Sequence, residues 1–565
     1  MEKFKLQVAE RLAPLMQKTP QEVRALMEAP PNPAWGDIAI PCFFLAKVLR
    51  KAPPAIADEL AAKAELPGLA SKVEAMGGYL NVTLDSTLVA KDILSGILET
   101  GASYAYTNAG ADKGIVIDFS SPNIAKPFGI GHLRTTVIGN SLSRIFKELG
   151  YNVVRVNHLG DWGTQFGKLI VAYQLFANGD PLIYDPIGTL YRIYVEYHKE
   201  AEARPELEDE ARAWFKRLED GDAEAKRYWN LFVEVSLKDY KRVYDLLDIE
   251  FDAYMGESFY EPLLNPTVQE IEDKGLTQVS DGAVIVDLEP YGMPPCLLRK
   301  TDGSTLYATR DLAAALYRER TYRPEQMLYV VGQEQTLHFK QVKQVLELMQ
   351  EPAGEKLVHV SFGLFRFPEG RMSTRRGKTI FLEDVLNKSI EMAAEIINQK
   401  NPELDDREQV ARQVGVGAIV FGDLKNGRIK DVAFDWEEIL NFDGETGPYV
   451  QYTHARACSV LRKAGGSVAN LSNESVLTDE FALPLIKLLG EFPQVIERAA
   501  LQYEPSVLSR YVLDVAQGFN RFYHNCRIIG QEVSVMQARL ALVKGTQQIL
   551  ERSMYLLGIA APEKM

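Results

Sequence analysis

The sequence predicts a multidomain protein, α/β through its centre and all-α toward its carboxyl end, on three observations. A chain of 565 residues with 46% hydrophobic content exceeds the size of one core and should divide into three or four domains. Ile115 to Ile117 form an apolar run, glycines follow at 129 and 131, and Leu133, Val137, Ile138, Leu142, Ile145, Phe146 and Leu149 then recur at helical spacing before Gly150 and the valines 153, 154 and 156. That is strand, glycine turn, helix, strand. Beyond about residue 385 every periodic segment reads as helix.

Taken in order, residues 1–100 are expected to be a small α/β domain. It opens on a charged amphipathic helix, continues with helical patterns over 21–27 and 43–51, and contains Gly77-Gly-Tyr-Leu-Asn-Val-Thr83. The polar, Gly/Ala-rich stretch 102–114 reads as a linker. The α/β unit occupies 101–385, with a charged helical insertion near 180–240. A helical connective region over 386–447 and a helical domain over 448–565 complete the chain, with loops at 401–408 and 463–479 between helices.

Composition narrows the function classes. A net charge of -14 argues against a general nucleic-acid binder, which would carry a basic face. Residues 449–565 nevertheless hold 12 basic against 10 acidic side chains, so a selective RNA contact is permitted there. Cys42, Cys296, Cys458 and Cys526 are far apart, which excludes a zinc ribbon and a dense disulfide framework and suggests a reduced, cytoplasmic setting. No apolar run is long enough to span a bilayer, and no membrane partner is expected.

The glycine turn is an anion-binding architecture, because a helix start exposes unpaired N–H groups and the positive end of its dipole. It is not a dinucleotide fingerprint, since the third glycine would fall on Arg134. Nor is Gly377-Lys378-Thr379 a P-loop, since its first glycine would fall on Met372. What remains is Gly129-Ile-Gly-His132 on the first turn, Lys126 upstream, and Asp118 and Asn123 at the strand's carboxyl end, where open α/β sheets bind ligands.

Ser121-Pro-Asn-Ile-Ala-Lys-Pro-Phe128 with Gly131-His-Leu-Arg134, then Asn157-His-Leu-Gly-Asp-Trp-Gly-Thr-Gln-Phe166, resembles the arginyl-tRNA synthetases, a class I aminoacyl-tRNA synthetase family. Leu306-Tyr-Ala-Thr-Arg-Asp311, Val331-Gly-Gln-Glu-Gln335, Arg371-Met-Ser-Thr-Arg375 and Gly447-Pro-Tyr-Val-Gln-Tyr-Thr-His-Ala-Arg456 follow in the family's order. The resemblance implies a Rossmann-like catalytic domain with a parallel sheet, an amino-terminal domain reading the tRNA D-loop, and a helical anticodon-binding domain. It implies an arginine-tRNA ligase with tRNA(Arg), L-arginine and ATP as partners, Mg²⁺ accompanying ATP, no zinc, and a monomer. Other class I synthetases of the cysteinyl, glutaminyl or glutamyl type, and a non-catalytic tRNA-binding paralogue, are the alternatives. The absence of zinc-ligand cysteines, the guanidinium-binding set and the retained phosphate motifs weigh against them.

Site roles follow from the same resemblance. Lys126, His132 and Arg375 would stabilise charge in the activation step, with Gly129, Gly131, Gly332, Glu334, Met372, Ser373 and Arg376 around ATP. Asp118, Asn123 and Gln335 would hold the arginine backbone, and Glu257, Tyr307 and Asp311 its guanidinium, whose rigid five-donor fork needs carboxylate acceptors. Tyr79, Asn81, Tyr449, Arg456, Arg521 and Tyr523 would contact tRNA. Two departures stand out: Gly129 replaces a residue that is usually polar in the family, and Arg371 and Thr374 replace the lysines of the K-M-S-K signature. Lys126 is expected to substitute for the second.

Overall fold

The computed structural model describes residues 1–177, 179, 182–366, 380–465 and 473–565. The basic loop carrying Arg371, Met372, Ser373, Thr374, Arg375 and Arg376 lies outside the described residues.

In the amino-terminal domain, strands β1 (Ile38–Pro41), β2 (Ala70–Met76) and β3 (Tyr79–Leu84) form an antiparallel sheet in the order β1-β3-β2. Helix Glu2–Met16 lays Phe4, Val8, Leu12 and Met16 into the core, the spacing of a single helical face. Residues 43–51 do not form the expected continuous helix. A 3₁₀ turn (Phe43–Leu45) leads into a four-residue helix (Ala46–Leu49) that stops at left-handed Arg50, because Pro53 opens the next helix and leaves no room for another turn.

The stretch 102–114 is a packed connector rather than a free linker. The Thr107 and Gly110 amides donate to the Glu148 and Leu149 carbonyls, and a Cβ on Gly110 would strike the Tyr151 ring. Small residues there permit close approach, not mobility.

The central sheet is parallel and five-stranded: β4 (Gly114–Asp118), β5 (Asn152–Asn157), β6 (Ala253–Tyr254), β10 (Gln326–Tyr329) and β11 (Leu357–His359), in the order β11-β10-β4-β5-β6. β4 connects to β5 through the motif helix Leu133–Glu148, which is buried almost throughout. Between β5 and β6 lie helices Gln165–Phe176, Pro186–Ala203, Glu206–Glu219 and Ala223–Leu247, so the expected insertion exists and runs past residue 240. A small antiparallel sheet of β7 (Thr277–Ser280), β8 (Ala283–Val286) and β9 (Cys296–Arg299) was not expected. Its signal is Asp281-Gly282, both at positive φ, the turn that closes tight hairpins.

Past residue 385 the regular structure among the described residues is helical apart from β13 (Val432–Ala433), which pairs in parallel with β12 (Phe365–Arg366). The last helix, Val533–Leu557, is largely buried and also supports the active half of the molecule. Ser141 and Arg144 of the motif helix donate to its Leu556 and Tyr555 carbonyls at 3.0 and 2.8 Å, and Glu148 pairs with its Arg552. Among the described residues no helix is long and apolar enough to cross a membrane.

Candidate active site

β4 and β10 lie side by side with Asp118 opposite Tyr329. From them the chain departs in opposite directions, to β5 on one side and β11 on the other. That divergence opens a crevice at the strands' carboxyl ends, the place where open α/β sheets bind ligands.

The loop from β4 into the motif helix borders this crevice and is strained. Ser120, Ser121 and Ala125 have φ of 74°, 48° and 58°, conformations that cost non-glycine residues about 1–3 kcal/mol each unless the surroundings enforce them. The insertion helix Ala223–Leu247 supplies that enforcement. The Ala125 amide donates to Ser236 Oγ at 2.9 Å, the Tyr240 hydroxyl lies 2.9 Å from the Lys126 carbonyl, and Tyr244 Oη is 2.8 Å from Ser120 Oγ.

Of the glycines, Gly129 is buried at an ordinary negative φ and pairs antiparallel with Phe381. Ile130 donates to the Ile380 carbonyl and Leu382 to that of Phe128, so the turn grips the backbone just beyond the basic loop. Gly131 is exposed, with no atom within 4 Å of where a Cβ would stand. His132 caps the motif helix with Nδ1 3.2 Å from the Ser120 carbonyl oxygen. That oxygen can only accept, so Nδ1 carries the proton and Nε2 of the neutral ring is left without one. Burial holds the imidazole below its usual pKa.

At the carboxyl end of β4 the structure gathers acidic groups, with Asp118, Asp311 and Asp161 all acting on buried His158. Asp311 lies on helix Tyr307–Tyr322 and accepts a 2.5 Å hydrogen bond from His338 Nε2. Glu257 begins helix Glu257–Asp273, and burial raises its pKa to about 7. Asp161 receives the Ser258 amide and hydroxyl at 2.8 and 2.6 Å, which fixes the helix start that presents Glu257. Asp118 pairs at 2.8 Å with Arg318, whose side chain is 0% exposed and lies over the Tyr260 and Tyr329 rings. Tyr307 shares the start of the Asp311 helix and is 69% exposed. The Asn123 side chain lies where a Cβ on Gly160 would stand, which is why glycine is needed there.

Gly332 and Phe362 form a bridge, and a Cβ on Gly332 would meet the Glu334 carboxylate at 2.6 Å. Glu334 and Gln335 are exposed on the turn after β10. The tRNA candidates lie on other elements, strand β3 and the helices Gly447–Lys463 and Ser506–Asn525. Arg456 donates to Asn520 at 2.5 Å and lies over the Tyr452 and Tyr523 rings, Asn520 also donates to the Tyr449 hydroxyl, and Arg521 is exposed. Arg456, Tyr452 and Tyr523 line an open groove of about 800 Å³. In the amino-terminal sheet Tyr79 meets Phe43 edge-on, while Asn81 is 3% exposed with its Oδ1 unpartnered among the described residues.

Several groups at the crevice carry no sequence signal of their own. Arg318 stands seven residues after Asp311, one helical face on, and only the fold shows that it meets Asp118. His158 and Asp161 lie inside a quoted motif, but His338, Tyr240 and Tyr244 sit in ordinary amphipathic helices. Arg134 is buried and donates to the Gly363 and Lys430 carbonyls at 2.8 and 2.7 Å while pairing with Asp423 at 2.8 Å. Among the described residues no group of three or more His, Cys, Asp or Glu side chains could hold a metal ion.

Three family models match the chain: the amino-terminal domain of arginyl tRNA synthetase over residues 2–84, the class I (R) tRNA synthetase catalytic domain over 93–436, and the DALR anticodon binding domain over 450–565. The arginine–tRNA ligases of Clostridioides difficile and Alkaliphilus metalliredigens are each 49% identical over 566 residues, covering 100% of both chains. Among solved structures, Thermus thermophilus arginyl-tRNA synthetase superposes with a TM-score of 0.82 at 27% identity, covering 95% of this chain and 96% of that one. Plasmodium falciparum arginyl-tRNA synthetase gives 0.80 at 25% identity over 99% of each chain.

Proposed function

From the premise that this chain belongs to the arginyl-tRNA synthetase family, we propose how its own residues divide the work of an arginine–tRNA ligase. The enzyme joins arginine to the α-phosphate of ATP, expelling pyrophosphate, and passes the arginyl group to the terminal adenosine of tRNA(Arg), releasing AMP. The attacking carboxylate is already ionised, so the protein has no proton to remove; rate comes from positioning and from stabilising charge on phosphate.

The observation that carries the proposal is the carboxylate set at the carboxyl end of β4, where Asp118, Asp161 and Asp311 surround His158 and Glu257 lies beside Asp311. Asp311 and Glu257 take the guanidinium, with Tyr307 alongside. Asn123, Asp118 and Gln335 hold the amino and carboxylate end, Asp118 with its charge already shared with Arg318. Lys126 and His132 face the phosphates with Gly131, where open space lets a phosphate approach the backbone. Gly129 supports the turn through its pairing with Phe381. Gly332 and Glu334 take the ATP ribose, Met372 and Ser373 the adenine side, and Arg375 and Arg376 the departing pyrophosphate. Mg²⁺ enters with ATP, held by phosphate oxygens and water rather than by a protein cage.

Tyr449, Arg456, Arg521 and Tyr523 form the anticodon end, where aromatic faces stack splayed bases, and Tyr79 reads the D-loop, whereas Asn81, 3% exposed within β3, is too buried to meet a base in this conformation. The domain limits follow as 1–100, 101–385, 386–447 and 448–565, in a monomer acting in the cytoplasm. Pyrophosphate exchange across the amino acids, with and without tRNA(Arg), tests the assignment. Exchange driven by arginine and no other amino acid, in the presence of tRNA(Arg), supports it, whereas exchange driven by glutamate or cysteine would overturn it.

A further inference from the structure

Asp311 is held by one side chain. His338, on helix Thr336–Leu348, places Nε2 2.5 Å from Asp311 Oδ2, and no other hydrogen bond to this carboxylate occurs among the described residues. The two side chains are 20% and 24% exposed, so the pair lies at the crevice rather than in the core. The imidazole is braced by the Phe339 ring at 5.2 Å. The other charged or titratable groups facing the pair are Arg318, His158, Asp118, Glu257, Tyr329 and, behind Phe339, His359.

A guanidinium gains from a carboxylate only when the acceptor plane is fixed to meet its planar fork. A carboxylate on a free rotor must be ordered first, and here it could swing toward buried Arg318. We infer that His338 is a positioning residue for arginine: its Nε2–H ties down Asp311 Oδ2 and leaves Oδ1 aimed at the incoming guanidinium. His338 itself does not touch the substrate. The inference rests on Asp311 as a guanidinium partner.

The test compares full-length His338→Leu, His338→Gln, Asp311→Asn and the double variant Asp311→Asn/His338→Leu in tRNA aminoacylation, with thermal melts confirming folding. His338→Leu is expected to raise the arginine KM about tenfold, the scale of one charge-assisted hydrogen bond, with kcat and the ATP KM changed less than about twofold. His338→Gln, which keeps an amide donor, recovers most of the loss. The double variant matches Asp311→Asn alone, because a residue acting only through Asp311 has nothing left to act on. An unchanged or lowered arginine KM in His338→Leu, or additive losses in the double variant, would overturn the inference. If His338→Leu does not fold, His338→Gln set beside His338→Asn, whose donor falls one bond short, makes the same comparison. An Asp311→Asn enzyme with normal arginine KM would instead overturn the guanidinium assignment beneath it.

Discussion

Tyr240, on the insertion helix, places one hydroxyl 2.5 Å from the Asn123 carbonyl oxygen and 2.9 Å from that of Lys126. A single proton shared between two carbonyls closes the strained loop like a clasp, three residues apart, and it comes from a helix that lies outside the sheet. The insertion therefore shapes the loop proposed to bind phosphate. Tyr240→Phe should lower arginine-dependent pyrophosphate exchange in the presence of tRNA(Arg) about tenfold, with a stability loss of about 1 kcal/mol in urea denaturation from the lost hydroxyl bonds, the Asn123 carbonyl keeping the Lys126 amide. A full exchange rate in the variant would show that the loop keeps its shape unaided.

In the proposed role, His132 must change protonation to serve ATP. Its Nδ1 proton is committed to Ser120, so Nε2 can donate to a phosphate only in the imidazolium form. Burial keeps the ring neutral in the empty site, and phosphate charge must draw a proton in. ATP binding then weakens as pH rises. Between pH 7.5 and 9 the log of kcat/KM for ATP should fall with a slope approaching about -1. His132→Ala should flatten that slope and cost about 10² to 10³ in rate.

Glu257 titrates in the opposite sense. Burial raises its carboxyl to about 7 in the empty site, and a bound guanidinium favours the ionised form, so arginine binding expels a proton. The arginine KM should fall as pH rises through about 7 and level off above it, while Glu257→Gln should raise the KM and lose the dependence. An arginine KM in the wild-type enzyme that is flat from pH 6 to 8 would remove Glu257 from the guanidinium site.

Arg134 and Asp423 form a buried ion pair, with burial outweighing attraction and lifting the Asp423 carboxyl to about 6. Arg134→Met strands that carboxylate and the Gly363 and Lys430 carbonyls, at a cost of about 3–5 kcal/mol. Denaturation at pH 8 should show the full loss and at pH 5 a smaller one, because there the lone carboxyl takes up a proton. Equal losses at both pH values would mean that the carbonyls, not the charge, dominate.

At the helical end, Arg456 links Asn520 to the Tyr452 and Tyr523 rings. Arg456→Ala should raise the tRNA KM about tenfold in aminoacylation, by lost stacking and one lost cation, with the arginine KM unchanged. A shift in the arginine KM instead would move this cluster out of the anticodon contact.

Much of this was legible because the phosphate motif is local. Strand, turn and motif helix all fall within residues 114–157, where hydrophobic period and glycine placement act over short distances. That Glu257 and Asp311 come close to one another could be expected only through resemblance, since they lie on helices separated by the small antiparallel sheet. Arg318, His338 and Tyr240 were not legible: each sits in an amphipathic helix whose pattern says which face is inward but not what it meets. The segment at 43–51 failed for the complementary reason, a helical pattern too short to propagate before Pro53. The connector at 102–114 failed because small residues signal either freedom or close packing, and only its contact with Tyr151 decides between them.

The seating of the motif helix on Val533–Leu557 bears on how this molecule can be rearranged. Ser141, Arg144 and Glu148 are bound to the far end of the chain by Leu556, Tyr555 and Arg552, so the helix that starts at the phosphate turn ends as part of the anticodon-side bundle. A chimaera that exchanged the last 116 residues with those of a relative, cut at the boundary where the matching family model begins at residue 450, would sever a shared surface rather than a hinge. The natural crossover unit is the carboxyl domain together with the outer face of the motif helix, and lineages that trade one must retune the other.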